Sequence, residues 1–214
     1  MVNLICIYLI RLIKGNYMNV NCLIFNDFET LDLFGPVEVF GKIEECTINY
    51  YSINGGIIKN NDNIQIYSEN MENIINYDVL IIPGGMGTRK IINDNEYIEK
   101  IKNIVEKSKW CLTVCTGSIL LAKTGLLNNK EATTNKMVLK NNYDWIIENG
   151  KNVKWIKKAR WVKDEKYYTS SGISAGIDMS LGFVNDQYGK EKADEIVKRM
   201  EYEWNKNKDE DNFV

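Results

Sequence analysis

Cys115 ends the apolar run "WCLTV" and opens "CTGSILLAKTG", in which Thr116 and Gly117 are followed by apolar residues at helical spacing. A thiol between a buried strand and a helix start sits on a tight, often strained turn, with its side chain pointing out over the sheet. Peptide N–H groups at the helix start would face it and lower its pKa from about 8.5. The alternative is a buried structural cysteine, like Cys22 or Cys111. The sequence contains no histidine, so a Cys–His pair is excluded and another group must move protons for a reactive Cys115.

The stretch "NDFETLDLFGPVEVF" offers Asp27, Glu29 and Asp32 at or just before a helix start. Aspartate there routinely caps the helix. The other reading has one carboxyl buried beside the thiol, where desolvation and a nearby thiolate raise its pKa and keep it protonated as a donor. Asp32, between Leu31 and Leu33, is the acid expected to turn inward.

Two further stretches could complete a pocket. "IIPGGMGTRK" ends a strand in Pro-Gly-Gly, where a substrate can approach the backbone closely. N–H groups of Gly85 and Thr116 could form an oxyanion hole, with Met86 beside them, and the Gly-Lys-Ser/Thr pattern of a phosphate loop is absent. "TSSGISAGIDMSLGF" carries Ser171, Gly172 and Ile173, read either as pocket lining or as a structural helix entry.

The elements that must position these residues are legible from periodicity. Strands are expected at 19–25, 47–53, 77–85 and 111–114, and helices over about 32–43, 95–108 and 117–125. A hairpin-like excursion follows Asn54-Gly55-Gly56, and a short strand is expected near 132–134. Further expectations are a helix over about 136–149, two or three short strands from Val153 to Ser170, and helices over about 173–188 and 190–204. Repeated strand–helix alternation predicts a mostly parallel sheet with helices on both faces. Sites in such sheets form at the carboxyl ends of strands. Asp32, Gly85 and Cys115 each follow such an end.

Composition sets the remaining bounds. The 214 residues suit one domain, and a net charge of −2 with no basic stripe gives no case for nucleic acid. The five cysteines, at 6, 22, 46, 111 and 115, lack metal-ligand spacing, so no metal and no cofactor are expected. Reduced thiols point to the cytoplasm. "VNLICIYLIRLI" is too short for a membrane span and lacks a cleavage signal. Residues 1–17 are therefore read as an extension outside the core, 18–204 as the domain and 205–214 as a charged tail, with a helix packed on the domain or a partner as the alternative for 1–17.

Taken together, "LDLFGPVEVF", "DVLIIPGGMG", "VCTGSILLAKTGLLNNKEATTNK", "ARWV" and "TSSGISAGIDM" resemble the ThiJ/PfpI superfamily in order and spacing, over about Met18 to Trp204. The resemblance implies a flavodoxin-like α/β three-layer sandwich, usually dimeric, with the nucleophile-elbow cysteine at Cys115. Members resembling the proteases and amidases carry histidine directly after that cysteine, where this chain has Thr116, so peptide or amide hydrolysis is not expected. Members resembling the glyoxalase/deglycase branch carry glutamate at the place of Asp32.

Cys-Thr-Gly-Ser with an Asp in "LDLFGP" looks most like the isonitrile hydratase branch. This implies a small-molecule substrate, Cys115 as nucleophile, Asp32 as proton shuttle, and the backbone at Gly85 and Thr116 cradling the site. That branch has a His-Trp pair after "ATT", where this chain has Asn135-Lys136. The alternatives are glyoxalase or deglycase action on 2-oxoaldehydes, and a non-enzymatic redox sensor using the same cysteine. A ligand domain of a transcription regulator is disfavoured by the short charged segment after Trp204.

Overall fold

The computed structural model describes residues 17–214. The expectation for the first 17 residues therefore falls outside the described part, apart from Tyr17. The chain runs β1 (Met18–Leu23), α1 (Thr30–Phe40), β2 (Cys46–Ser52), β3 (Gly56–Lys59), β4 (Gln65–Asn70), β5 (Val79–Ile82), α2 (Thr88–Ile91) and α3 (Asn95–Lys107). It continues through β6 (Trp110–Val114), α4 (Gly117–Lys123), β7 (Glu131–Ala132), α5 (Lys136–Asn141), α6 (Tyr143–Asn149) and β8 (Lys154–Trp155). β9 (Trp161–Asp164), β10 (Tyr167–Ser170), α7 (Ala175–Tyr188) and α8 (Lys190–Met200) complete it.

Eight strands form one sheet in the order β3-β4-β2-β1-β5-β6-β10-β9. The six inner strands are parallel, and the two edges, β3 on β4 and β9 on β10, are antiparallel. β7 and β8 pair separately. Helices form two packed groups, α1 with α7 and α8 and α3 with α4 and α6, giving the expected three-layer α/β sandwich. A parallel strand covered on both faces must be apolar throughout. Val79, Leu80, Ile81 and Ile82 of β5 are all fully buried. α3 shows the complementary pattern: Ile98, Ile101, Ile104 and Val105 face inward, and the Asp94 side chain caps its first turn by accepting from the Tyr97 N–H at 3.0 Å.

The structure departs from the sequence expectations in four places. α1 begins at Thr30, so Pro36 falls inside the helix rather than near its start. Its missing N–H leaves the Asp32 carbonyl without its helical donor. The helix expected over 136–149 is two short ones, broken where Asn142 takes φ −137° and ψ 40°. α8 stops at Met200 because Glu201 turns left-handed at φ 49°, and the N–H of Tyr202 bonds back to the Val197 carbonyl.

The charged C-terminal stretch also folds onto the domain. The Lys208 carbonyl accepts from the Arg160 N–H at 2.8 Å, and Asp211 is buried. A composition rich in charge reads as solvated until a buried cation elsewhere supplies a partner, and Arg160 is that cation. Among the described residues no helix is long and apolar enough to cross a membrane, and no cluster of His, Cys, Asp or Glu is placed to hold a metal ion.

Candidate active site

β6 delivers Cys115 at its carboxyl end, and α4 begins two residues later. The two-residue reversal forces Cys115 to φ +55°. That conformation costs a non-glycine residue about 1–2 kcal/mol, so its surroundings must hold it. They do so through the backbone. The Cys115 N–H donates to the Ser171 carbonyl at 3.2 Å, and its carbonyl accepts from the hydroxyls of Thr134 at 2.8 Å and Ser118 at 2.9 Å. The residue is only 7% exposed.

The loop after β1 and the loop after β5 are tied together beside this turn. The Glu29 N–H donates to the Gly84 carbonyl at 2.9 Å, the Gly87 N–H to the Asp27 carbonyl at 3.1 Å, and Phe28 bridges Gly85. Gly84 lies where a side chain has no room: a Cβ there would sit 2.6 Å from the Thr116 nitrogen and 2.8 Å from Asp32 Oδ2. This close approach brings β5's exit, the elbow and α1 together.

Of the three acids flagged in the sequence, only Asp32 turns in. Asp27 pairs with Lys90 at 2.8 Å near the surface, and Glu29 precedes α1 without a capping bond. Asp32 is fully buried. Its Oδ2 accepts from the Gly84 N–H at 3.0 Å, and among the described residues its Oδ1 has no hydrogen-bond partner. Burial pushes its pKa up to about 7, against the pull of the Gly84 N–H and with a smaller push from Glu29. Cys115 is near enough that the two titrations act on each other.

The thiol itself runs opposite to expectation. Burial, and then the Asp32 charge, push the Cys115 pKa up, while the Asn135 amide and the Thr116 N–H pull it down. α4 spans only Gly117–Lys123, and its first turn does not outweigh the loss of water around the sulfur. Cys115 therefore rests as a thiol and needs a nearby base.

The backbone cradle is also rearranged. The Gly85 N–H, expected to face a substrate, instead donates to Thr116 Oγ1 at 3.1 Å. The Thr116 N–H points to the sulfur. The Thr116 hydroxyl, 3.2 Å from that of Thr88, thus stitches the elbow to the β5 loop. Ser171 is buried, and its hydroxyl donates to Asp211. Met86, 54% exposed, and Ile173, 40% exposed, lie at the surface, and Gly172 backs onto Asn135.

Asn135 is the residue that sequence reasoning missed. Its Nδ2 lies 3.3 Å from Cys115 Sγ, and its Oδ1 accepts from the Val138 N–H at 3.1 Å, capping α5. The available signal was its position after "ATT", where the resembling branch differs. Lys136, next in sequence, turns the other way. Its buried ammonium bonds to Thr133 Oγ1 at 2.8 Å and to the Ala159 carbonyl, and burial lowers its pKa to about 8.

The chain resembles known proteins along nearly all its described length. Residues 18–186 match the DJ-1/PfpI family. Isonitrile hydratase of Pseudomonas putida is 26% identical over 186 residues, covering 86% of this chain and 78% of the relative. Among solved structures, a ThiJ/PfpI family protein from Pseudomonas syringae superposes with a TM-score of 0.75 at 24% identity, over 89% of this chain and 78% of the other. Drosophila melanogaster DJ-1beta gives 0.74 at 18% identity, over 87% and 99%. At these identities the superpositions establish the flavodoxin-like fold.

Proposed function

The chain belongs to the DJ-1/PfpI family, and from that premise we propose that it is a cysteine-dependent enzyme hydrating isonitriles to N-substituted formamides. The observation that carries this reading is the fully buried Asp32 carboxyl, one oxygen unpartnered, beside the Cys115 thiol. A pKa pushed up to about 7 lets that carboxyl be populated as base and as acid at neutral pH. The similarity to isonitrile hydratase over most of the chain supports the same reading.

The steps balance with no histidine. Ionised Asp32 takes the Cys115 proton as the sulfur bonds to the terminal carbon of R–N≡C. Asp32 returns that proton to the same carbon, leaving the thioester-like adduct S–CH=N–R. Water then adds to the carbon, giving one proton to Asp32, which passes it to nitrogen. The C–S bond breaks, the hydroxyl proton returns to sulfur, and R–NH–CHO leaves. Nitrogen stays in the product and the leaving group is a thiol, so no amine has to be protonated and expelled, the task for which histidine is usually required. A cysteine residue only 7% exposed also suits a linear substrate that presents a terminal carbon.

The test is formamide production from a panel of alkyl and aryl isonitriles. Wild-type turnover that disappears in Cys115→Ala and Asp32→Asn, with a pH–rate profile turning near 7, is the expected outcome. No wild-type turnover anywhere in the panel overturns the reaction. Lactate formed from methylglyoxal in its place would move the assignment to 2-oxoaldehydes.

A further inference from the structure

We propose that Asn135 is a second catalytic residue: a fixed, non-titrating donor that steadies the negative charge on Cys115 Sγ while Asp32 alone moves protons. The proposal rests on the reading of Cys115 as the nucleophile, and three independent contacts carry it.

The first is the contact itself, Asn135 Nδ2 at 3.3 Å from the sulfur. The second fixes which end of the amide faces the sulfur. Oδ1 is engaged as the acceptor for the Val138 N–H at 3.1 Å. An amide flip would set a donor against a donor at the start of α5, so the Val138 N–H selects the orientation that turns Nδ2 to the sulfur. The third is room. Gly172 passes so close that a Cβ there would lie 2.3 Å from Asn135 Nδ2. The same segment accepts the Cys115 N–H at Ser171, so it positions the nucleophile and its donor together.

An amide N–H polarises a sulfur anion without being able to lose its proton to it. A donor to the charged form favours that form. Among the described residues, the titratable or charged group that acts on the sulfur is Asp32, from α1, with Glu29 acting on Asp32 in turn. Lys136 is directed to Thr133 and Ala159 instead. Asn135, with the Thr116 N–H, is thus the counterweight to burial and to Asp32 at the sulfur. A histidine at this point would add a second ionisation near neutral pH, whereas asparagine leaves the thiol under the control of one acid.

The experiment reads the thiol directly, so its outcome is separate from whether isonitriles are the substrate. The rate of iodoacetamide alkylation of Cys115, followed by mass spectrometry of its peptide, is measured against pH. Wild type is compared with Asn135→Ser, whose hydroxyl can still cap Val138 but supplies neither the amide donor nor a charge, and with Gly172→Ala, which keeps Asn135 but displaces its amide. The expected result is a midpoint for Cys115 raised by about one pH unit or more in both, with Cys46 alkylation unchanged. Midpoints unchanged in both variants, or Cys46 shifting in step with Cys115, would overturn the proposal.

Discussion

Asp32 and Asp178 are both fully buried, each in the first turn of a helix packed on the same sheet, and their surroundings partner them very differently. Asp178 meets a cation. Arg160 approaches its Oδ2 through Nε and Nη2, each at 2.6 Å, while the Tyr202 hydroxyl at 3.1 Å and the Asn205 N–H at 3.0 Å donate to Oδ1. Among the described residues Asp32 receives one N–H and no cation, and half its carboxylate is left unpartnered beside a thiol. Burial pushes the pKa of both carboxyls up, but at Asp178 the Arg160 guanidinium, the Asn205 N–H and the Tyr202 hydroxyl pull against it and tie elements together. A carboxylate denied a cation gives up its charge near neutral pH, and can therefore pass a proton. The same residue type thus serves as a structural anchor in one place and as a candidate proton carrier in the other.

The comparison breaks most visibly if the anchor is cut. Arg160→Ala leaves Asp178 as an unpaired buried charge, and a loss of about 3–5 kcal/mol in urea unfolding is expected. A loss below about 1 kcal/mol would mean that Asp178 is neutral too, and the contrast would fail.

Asp32→Asn should behave in the reverse sense. With a pKa of 3.8 raised to about 7 on folding, the native state binds the Asp32 proton more tightly than the unfolded chain does. The stability this contributes is full below about pH 4 and is lost as pH rises through 7. Asparagine carries no such dependence. The variant should therefore gain on wild type between pH 4 and 7, by on the order of 4 kcal/mol at most, while losing turnover. Unfolding free energies at pH 5 and pH 8 measure it, and a difference that does not change with pH would sink the assignment.

Asp211→Ala sharpens the contrast further, because Asp211 lies 3.7 Å from Arg160 Nη1 and accepts from Ser171. A cost of about 1–3 kcal/mol is expected from the orphaned hydroxyl, together with faster hydrogen exchange at the Cys115 N–H, which bonds to the Ser171 carbonyl. The smallest effect is expected for Thr116→Val. Removing the acceptor of the Gly85 N–H should cost about 1 kcal/mol in the same assay. No change would mean that this N–H is equally well served by water.

Much of the framework was legible because it is local. Periodicity marked the parallel strands and the inward face of α3. The run from Trp110 to Gly125 marked the turn at Cys115, and the flanking leucines marked Asp32 as the acid that turns in. Other features depended on partners distant in the chain. α8 was extended too far, since its end is set by a left-handed Glu201 and by Tyr202 and Trp204 reaching back to Asp178. The last ten residues read as a solvated charge run because nothing nearby in sequence announced a buried Arg160.

By itself the sequence determined the α/β sandwich, the sharp turn bearing a thiol, and the absence of histidine, because these follow from residue type and short-range spacing. Only the tertiary structure decided that Cys115 rests as a thiol, that the Gly85 N–H is taken by Thr116, and that Asn135 faces the sulfur. Each depends on how crossovers bring the ends of β1, β5 and β6 and the start of α5 to one point. Proton affinity there is set by the water excluded and the dipoles assembled, which no local pattern encodes.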